Sequence, residues 1–322
     1  MLKTRITELF GIKYPIIQAA LGGGLSNAEL AAAVSNAGGL GIIAGLAFSP
    51  QTLREEIKKT KSLTDKPFAI NIAMLPANRP IKYEDYFDAV ISEGVKVVET
   101  VGQSPEAYIK PLKDADVKVM HKAGAVRHAR SAERAGVDAV SIVSVEGAGH
   151  PLPDEVAGSV LIPACVDALK IPVVAAGGIA DARGMVAALA LGAEGVMMGT
   201  RFVVTQECIA NPKIKEWFLQ LTEADTMIIQ RSIRFLNRVA KTEYTQKIRE
   251  AEEKGAKPEE IMSLTRGGGN AYRTGDTTAA IVTVGQSVGL VHDIPTVKEL
   301  IDRMVSEADT VAKRLHNMGL AV

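Results

Sequence analysis

From residue 15 to about residue 220, short apolar runs rich in β-branched residues alternate with amphipathic segments, and the alternation repeats eight times. The runs occupy residues 15–20, 40–45, 68–74, 95–102, 117–123, 139–144, 172–178 and 195–202. Each is continuously apolar rather than alternating, as expected of strands covered on both faces in a parallel sheet. Between them, segments such as 27–37, 50–63, 83–93, 126–135 and 182–191 carry helical periodicity. Several start at a capping residue, as at Ser26 or Asn27, Ser49 before Pro50, and Asp181. Several stop at glycine, as at Gly38, Gly94, Gly136 and Gly192, which tolerates the left-handed conformation of a helix end. Eight such units suit a closed (β/α)8 TIM barrel better than an open doubly wound sheet of five or six strands.

After Trp217 the pattern changes. Residues 222–265 read as charge-rich helices, RGGGNAYRTGDT interrupts, and an amphipathic helix runs over about 296–315. The chain therefore divides into a barrel core at 1–220, a helical segment at 221–285 that either packs on the barrel or acts as a lid, and a C-terminal extension at 286–322 whose helix packs on the barrel.

Composition narrows the partners. Lys plus Arg and Asp plus Glu both total 37, which leaves no net field to gather nucleic acid or an anionic membrane. Aromatics make up 4%, too few for base-stacking platforms. No apolar run approaches the roughly 20 residues that cross a bilayer, and MLKTRITELFG lacks a secretory core. The expectation is a cytoplasmic protein, a homodimer being one assembly to consider, that acts on small molecules. The two cysteines, Cys165 and Cys208, read as core fillers. The five histidines show no i, i+4 pair, so no catalytic metal is expected.

In a barrel the site lies at the C-terminal strand ends. Strand seven ends in Gly177-Gly178-Ile-Ala-Asp181 and strand eight in Gly199-Thr200-Arg201. Glycines there let backbone N–H groups approach an anion, so Gly177, Gly178, Gly199 and Thr200 are phosphate-binding candidates. Lys122 ends strand five, where a cation needs either an acidic neighbour or an electron-rich ligand. Asn71 and Gln18, at the ends of strands three and one, either bond a ligand or have structural partners. His150, in the glycine-flanked loop Glu146-Gly-Ala-Gly149-His150-Pro151, is the histidine best placed for proton transfer.

The combination of PIIQAALGG, AVSNAGGLGIIAG, PFAINIAMLP, HKAGAVRHARSAERAGVDAVSI, EGAGHP, VVAAGGIADARGMVAALALGAEGVMMGTRF and GDTTAAIVTVGQSVG resembles the nitronate monooxygenase (2-nitropropane dioxygenase) family of FMN barrels over nearly the entire chain. The stretch 175–202 is also shared with FMN-dependent enoyl-acyl-carrier-protein reductases, so it points to the cofactor more than to the reaction. The resemblance assigns FMN contacts to Gln18, Asn71, Lys122, Gly149, Gly177, Gly178, Gly199 and Thr200. It makes Lys122 a candidate to face the flavin pyrimidine edge, and His150 the base of nitronate oxidation. MLPANRP, HKAGAVRHA and EGAGHPLPDEVAG resemble a bacterial NADH:quinone reductase branch. In that branch Pro76 and Pro80 would belong to a loop touching the nicotinamide nucleotide, and His150 would position the substrate. The leading expectation is two-electron transfer from NADH to a quinone, followed by nitronate oxidation with O2 and then enoyl-thioester reduction. Two departures stand out. Val143 replaces an expected acid, and Ala19, Ala20, Gly22, Gly23 and Gly24 replace bulkier residues.

Overall fold

The computed structural model describes residues 2–75, 80–267, 269–278 and 280–319. Eight strands carry the repeat: β1 (Ile16–Gln18), β2 (Gly41–Ala44), β3 (Phe68–Met74), β4 (Val97–Gly102), β5 (Lys118–Ala123), β6 (Ala139–Val143), β7 (Val173–Ala176) and β8 (Gly195–Met198). Helix α1 (Arg5–Phe10) precedes them. The connecting helices are α2 (Ala28–Asn36), α3 (Pro50–Leu63), α4 (Tyr83–Ser92), α5 (Glu106–Asp114), α6 (Val126–Ala135), α7 (Gly158–Ala168) and α8 (Ala182–Ala190). All neighbouring strands pair in parallel, in the order β1-β8-β7-β6-β5-β4-β3-β2. A parallel bridge from Ile17 to Leu40 closes the ring, so the expected (β/α)8 barrel is what the chain forms.

Alternate strand residues point inward. Ile17, Ile42, Ala69, Val97, Met120, Ala139, Val174 and Met197, one from each strand, share a cluster with Ile6, Phe10 and Ile12. Helix α1 thus plugs the N-terminal end of the ring. Thr4 tethers it there by donating to the Glu194 carbonyl at 2.7 Å, just before β8.

Beyond β8 come α9 (Thr200–Val203), α10 (Pro212–Phe218), β9 (Thr226–Ile229), β10 (Asn237–Ala240), α11 (Glu243–Glu253), α12 (Pro258–Gly267), α13 (Ala271–Thr274) and α14 (Val297–Asn317). The sequence suggested helices throughout 222–265, but the segment begins with an antiparallel hairpin of β9 and β10. The runs TMII and NRVA are too short for a helix, and pairing them buries Met227, Ile229 and Val239 with Ile248 and Ile261 in a small separate core. We call residues 226–283 the cap. The long α14 packs against α8 and α2 on the outer wall.

The wall itself is tight. A Cβ on Gly41 of β2 would lie 2.0 Å from the Ala31 carbonyl oxygen of α2, a backbone atom with no rotamer to yield. Gly41→Ala should therefore destabilise the fold by about 3 kcal/mol, near the upper end for overpacking. A urea melt with an unshifted midpoint would show instead that α2 can move away.

Candidate active site

Two residues beyond the interior cluster, the same inward register delivers Ala19, Ala44, Asn71, Glu99, Lys122, Ser141, Ala176 and Gly199 at the C-terminal end of the ring. This layer is divided in two. The adjacent strands β3 to β6 supply four polar side chains, and β7, β8, β1 and β2 supply three alanines and a glycine. A floor with one half flat and the other able to hydrogen-bond suits a planar heteroaromatic ring. Two hollows of about 460 and 350 Å³ border α14 around Asp293 and Arg303, but neither is lined by any residue of this layer.

The polar half is a single network. Asn71 Nδ2 donates to Glu99 Oε2 at 2.7 Å, Ser141 Oγ donates to Glu99 Oε1 at 3.2 Å, and Lys122 Nζ meets the same Oε1 at 3.2 Å. Glu99 is fully buried, whereas the Lys122 side chain keeps 18% of its exposure. Lys122 therefore has the acidic neighbour that its depth requires, with ammonium protons to spare. Sequence reading missed Glu99 by treating 95–102 as wholly apolar. The signal was the one that singled out Asn71 and Lys122, a polar residue in a buried run. Val143, on β6, shares the inward register, and the acid inside this barrel comes from β4 instead.

Gln18 is also buried, and its amide is committed within the chain. Its Oε1 accepts from Ile42 N at 3.0 Å, and its Nε2 donates to Ser26 Oγ at 2.8 Å and to the Ala19 carbonyl. Ser26 Oγ in turn accepts from Leu21 N at 2.7 Å, so Gln18 anchors the glycine loop that follows β1. Gly22 and Gly24 in that loop face open space where a Cβ would stand.

The neighbouring ends of β7 and β8 carry the other candidates. Gly177 and Gly178 have φ of 97° and 74°, and a Cβ on Gly177 would come 2.5 Å from Ser144 Oγ. Glycine is needed there on backbone grounds alone. Among the described residues, the backbone N–H groups of Gly178, Gly199 and Thr200 have no acceptor in the chain, whereas Gly177, next above the Ala176–Met197 pair, ends the β7–β8 ladder. Unpaired N–H groups at two adjacent strand ends fit an anion. The start of α8 is already occupied, since the Asp181 carboxylate accepts from Arg183 N and Gly184 N at 2.9 and 3.1 Å. Thr200 Oγ1 accepts from Gly285 N at 3.0 Å and docks the returning tail.

His150 stands at the far side of the opening, where the cap meets the barrel. Gly149 and Arg238 form an antiparallel bridge, and Arg238 Nε donates to the Val145 carbonyl at 2.7 Å. The imidazole packs 4.2 Å from the Phe235 ring. Its Nδ1 lies 2.8 Å from the Leu236 carbonyl, which can only accept, so Nδ1 carries the proton and Nε2 keeps a lone pair. His150 is itself exposed, and the partial desolvation of its ring lowers its pKa modestly below the ordinary 6.5, more than the Leu236 bond raises it. The structure thus brings Asn71, Lys122 and the β7 and β8 glycines around one floor, with His150 and Gly149 on its rim. Pro80 is exposed, and Pro76 lies outside the described residues. No cluster of His, Cys, Asp and Glu suited to a metal occurs among the described residues, and no helix in them is long and apolar enough to cross a membrane.

The family model described as nitronate monooxygenase matches residues 3–307. A Rhodococcus jostii protein named (3aS,4S,5R,7aS)-5-hydroxy-7a-methyl-1-oxo-octahydro-1H-indene-4-carboxyl-CoA dehydrogenase is 35% identical, covering 99% of this chain and 98% of its own. A Staphylococcus saprophyticus protein named "probable nitronate monooxygenase" is 36% identical over 70% of this chain and 75% of its own. The solved structure of FabK from Thermotoga maritima superposes with a TM-score of 0.92 at 37% identity, covering 99% of this chain and 100% of that one.

One buried histidine lies outside the site. His121 takes the outward register of β5, and its Nδ1 shares a 2.8 Å hydrogen bond with Thr100 Oγ1. Burial holds its pKa down at about 4, against 6.5 in an unfolded chain. The unfolded state therefore binds the extra proton between those values. Stability should be fully present above pH 6.5 and fall as pH drops toward 4, by on the order of 3 kcal/mol from this residue. Urea melts at pH 7.5 and 4.5 should show a smaller loss in His121→Asn than in the wild type. Equal losses would place the acid sensitivity elsewhere.

Proposed function

This chain belongs to the nitronate monooxygenase family and is an oxidoreductase, and we propose that it binds FMN, oxidises alkyl nitronates, and uses His150 as the base that takes the α-proton of the parent nitroalkane to form them. The observation that carries this reading is the Leu236 carbonyl, which leaves Nε2 of a neutral imidazole free to take a proton. FMN, when bound, supplies a two-electron acceptor that dioxygen can re-oxidise. The free N–H groups of Gly178, Gly199 and Thr200, with Gly177 shaping the turn, would hold its phosphate, and Asn71 and Lys122 would meet the polar edge of its ring. Gln18 would shape the loop beside it, and Gly149 would set the rim that carries His150. The relative named as a carboxyl-CoA dehydrogenase makes acyl-CoA thioesters a further substrate class to test.

A second reading is transfer of electrons from NADH to a quinone. The segments HKAGAVRHA and EGAGHPLPDEVAG favour it, and it would give Pro76 and Pro80 the nicotinamide contact. Hydride transfer from NADH requires no base, and His150 with its proton turned toward Leu236 has none at Nε2 to offer a quinone oxygen. That geometry ranks this reading second. A cytoplasmic setting and a homodimer go with either reading.

Anaerobic stopped-flow absorbance of the FMN-loaded protein separates the two. Propyl nitronate should bleach the flavin band, 1-nitropropane, which must first lose its α-proton, should bleach it too, and His150→Ala should slow the second reaction by about a hundredfold or more. Because the His150 pKa is lowered, the acid limb of kcat/KM should lie below pH 6.5. Bleaching by NADH alone, reversed by benzoquinone, would install the second reading. A protein that takes up no FMN would sink both.

A further inference from the structure

Glu99 has no part in the chemistry above, yet it is the most heavily engaged residue of the strand-end layer. It is fully buried on β4, and β3, β5 and β6 each send it one partner, Asn71, Lys122 and Ser141. A carboxylate at that depth carries a desolvation penalty of several kcal/mol, which an aliphatic pair of similar volume would avoid. One step lower in the same register, β4 and β5 do supply such a pair, Val97 and Met120. Stability alone therefore gives no reason for an acid at position 99.

The order of burial suggests its role. The Lys122 side chain, 18% exposed, is the member that reaches the half-open layer, while Glu99, at 0%, lies behind it. A ligand on the floor would meet the ammonium first, with an opposite charge 3.2 Å from it. At that separation in a poorly solvated interior the carboxylate cancels much of the field that the ammonium would otherwise project. The same carboxylate fixes where Nζ sits and turns the Asn71 amide, whose Oδ1 is left without a partner among the described residues.

We propose that Glu99 is a positioning residue that holds Lys122 and Asn71 and, by offsetting the Lys122 charge, keeps the reduction potential of the bound flavin low. The proposal rests on the reading of the site as an FMN site. Reduced flavin carries more negative charge than oxidised flavin, so an uncompensated ammonium would favour the reduced form. Glu99→Gln keeps the shape and an acceptor for Asn71 but removes the charge.

The test is a spectroscopic redox titration of the FMN-loaded protein. At the poise where the wild type is half reduced, Glu99→Gln should hold about ten reduced flavins for each oxidised one, a shift of about 30 mV for a two-electron couple. Glu99→Asp, which retains the charge, should stay within about twofold of the wild type. Lys122→Met should move the ratio the other way, and the double variant Glu99→Gln/Lys122→Met should return toward the wild type, because the two charges act on the flavin in opposite directions. An unchanged ratio in flavin-loaded Glu99→Gln overturns the proposal, and so does an equal shift in Glu99→Asp, which would mark a packing effect. Should Glu99→Gln fail to fold, Lys122→Met decides, because a ratio that does not fall shows no charge coupling to the flavin. A wild-type protein without a flavin absorbance band overturns the underlying FMN reading before any potential is measured.

Discussion

Closing eight parallel strands into a ring is the constraint from which the rest follows. Closure removes both sheet edges and obliges every second side chain to share one narrow interior. The closing seam is the weakest ladder, because β1 has only three residues and a single bridge joins its Ile17 to Leu40, the residue just before β2. Gln18 completes that seam with a side chain, its Oε1 accepting the Ile42 N–H in place of a strand carbonyl. The amide that finishes the wall also fixes the loop above it through Ser26, so fold closure and site shape meet in one residue.

Within the ring, polarity is sorted by height and by side. The lower layer is wholly apolar and sealed by α1, and the upper layer places its four polar groups on four consecutive strands. Removing one partner from a buried ion pair strands the other charge, at about 3–5 kcal/mol. The Glu99–Lys122 pair therefore stands or falls as a unit, braced by Asn71 and Ser141. Across the floor the arrangement reverses, and backbone N–H groups rather than side chains are on offer. One ring thus presents a cation on one flank and backbone N–H groups on the other.

The barrel was legible in the sequence because a parallel strand buried on both faces writes itself as an unbroken aliphatic run, and all eight runs became strands. Lys122 and Asn71 were legible as exceptions within such runs. Glu99 follows the same rule and was passed over in VVETVG, although its register alone puts it beside them. The β9–β10 hairpin was not legible. Its two short runs gain a reason to pair only through the separate core that they build with α11 and α12. Phe235, Leu236 and Arg238 are correspondingly invisible from sequence, lying some 86 residues from His150 along the chain in the case of Leu236. The tautomer of His150 is a tertiary property, and no motif around EGAGHP encodes it.

The bond from His150 to Leu236 joins a barrel loop to the cap, whose hairpin has a small core of its own while Ala240, Ala271, Ala280 and Val282 pack into the barrel cluster. The barrel contributes the ring and the cap contributes the carbonyl that sets its proton, with the Gly149–Arg238 bridge and the Arg238 side chain as the rivets between them. Recombination between relatives would have to respect this joint. A chimera that exchanged residues 226–283 while keeping the loop 144–150 would inherit the histidine but not its protonation geometry. The natural unit of exchange in such a barrel is therefore not the motif or the cap but the pair of segments 144–150 and 235–239, transferred together.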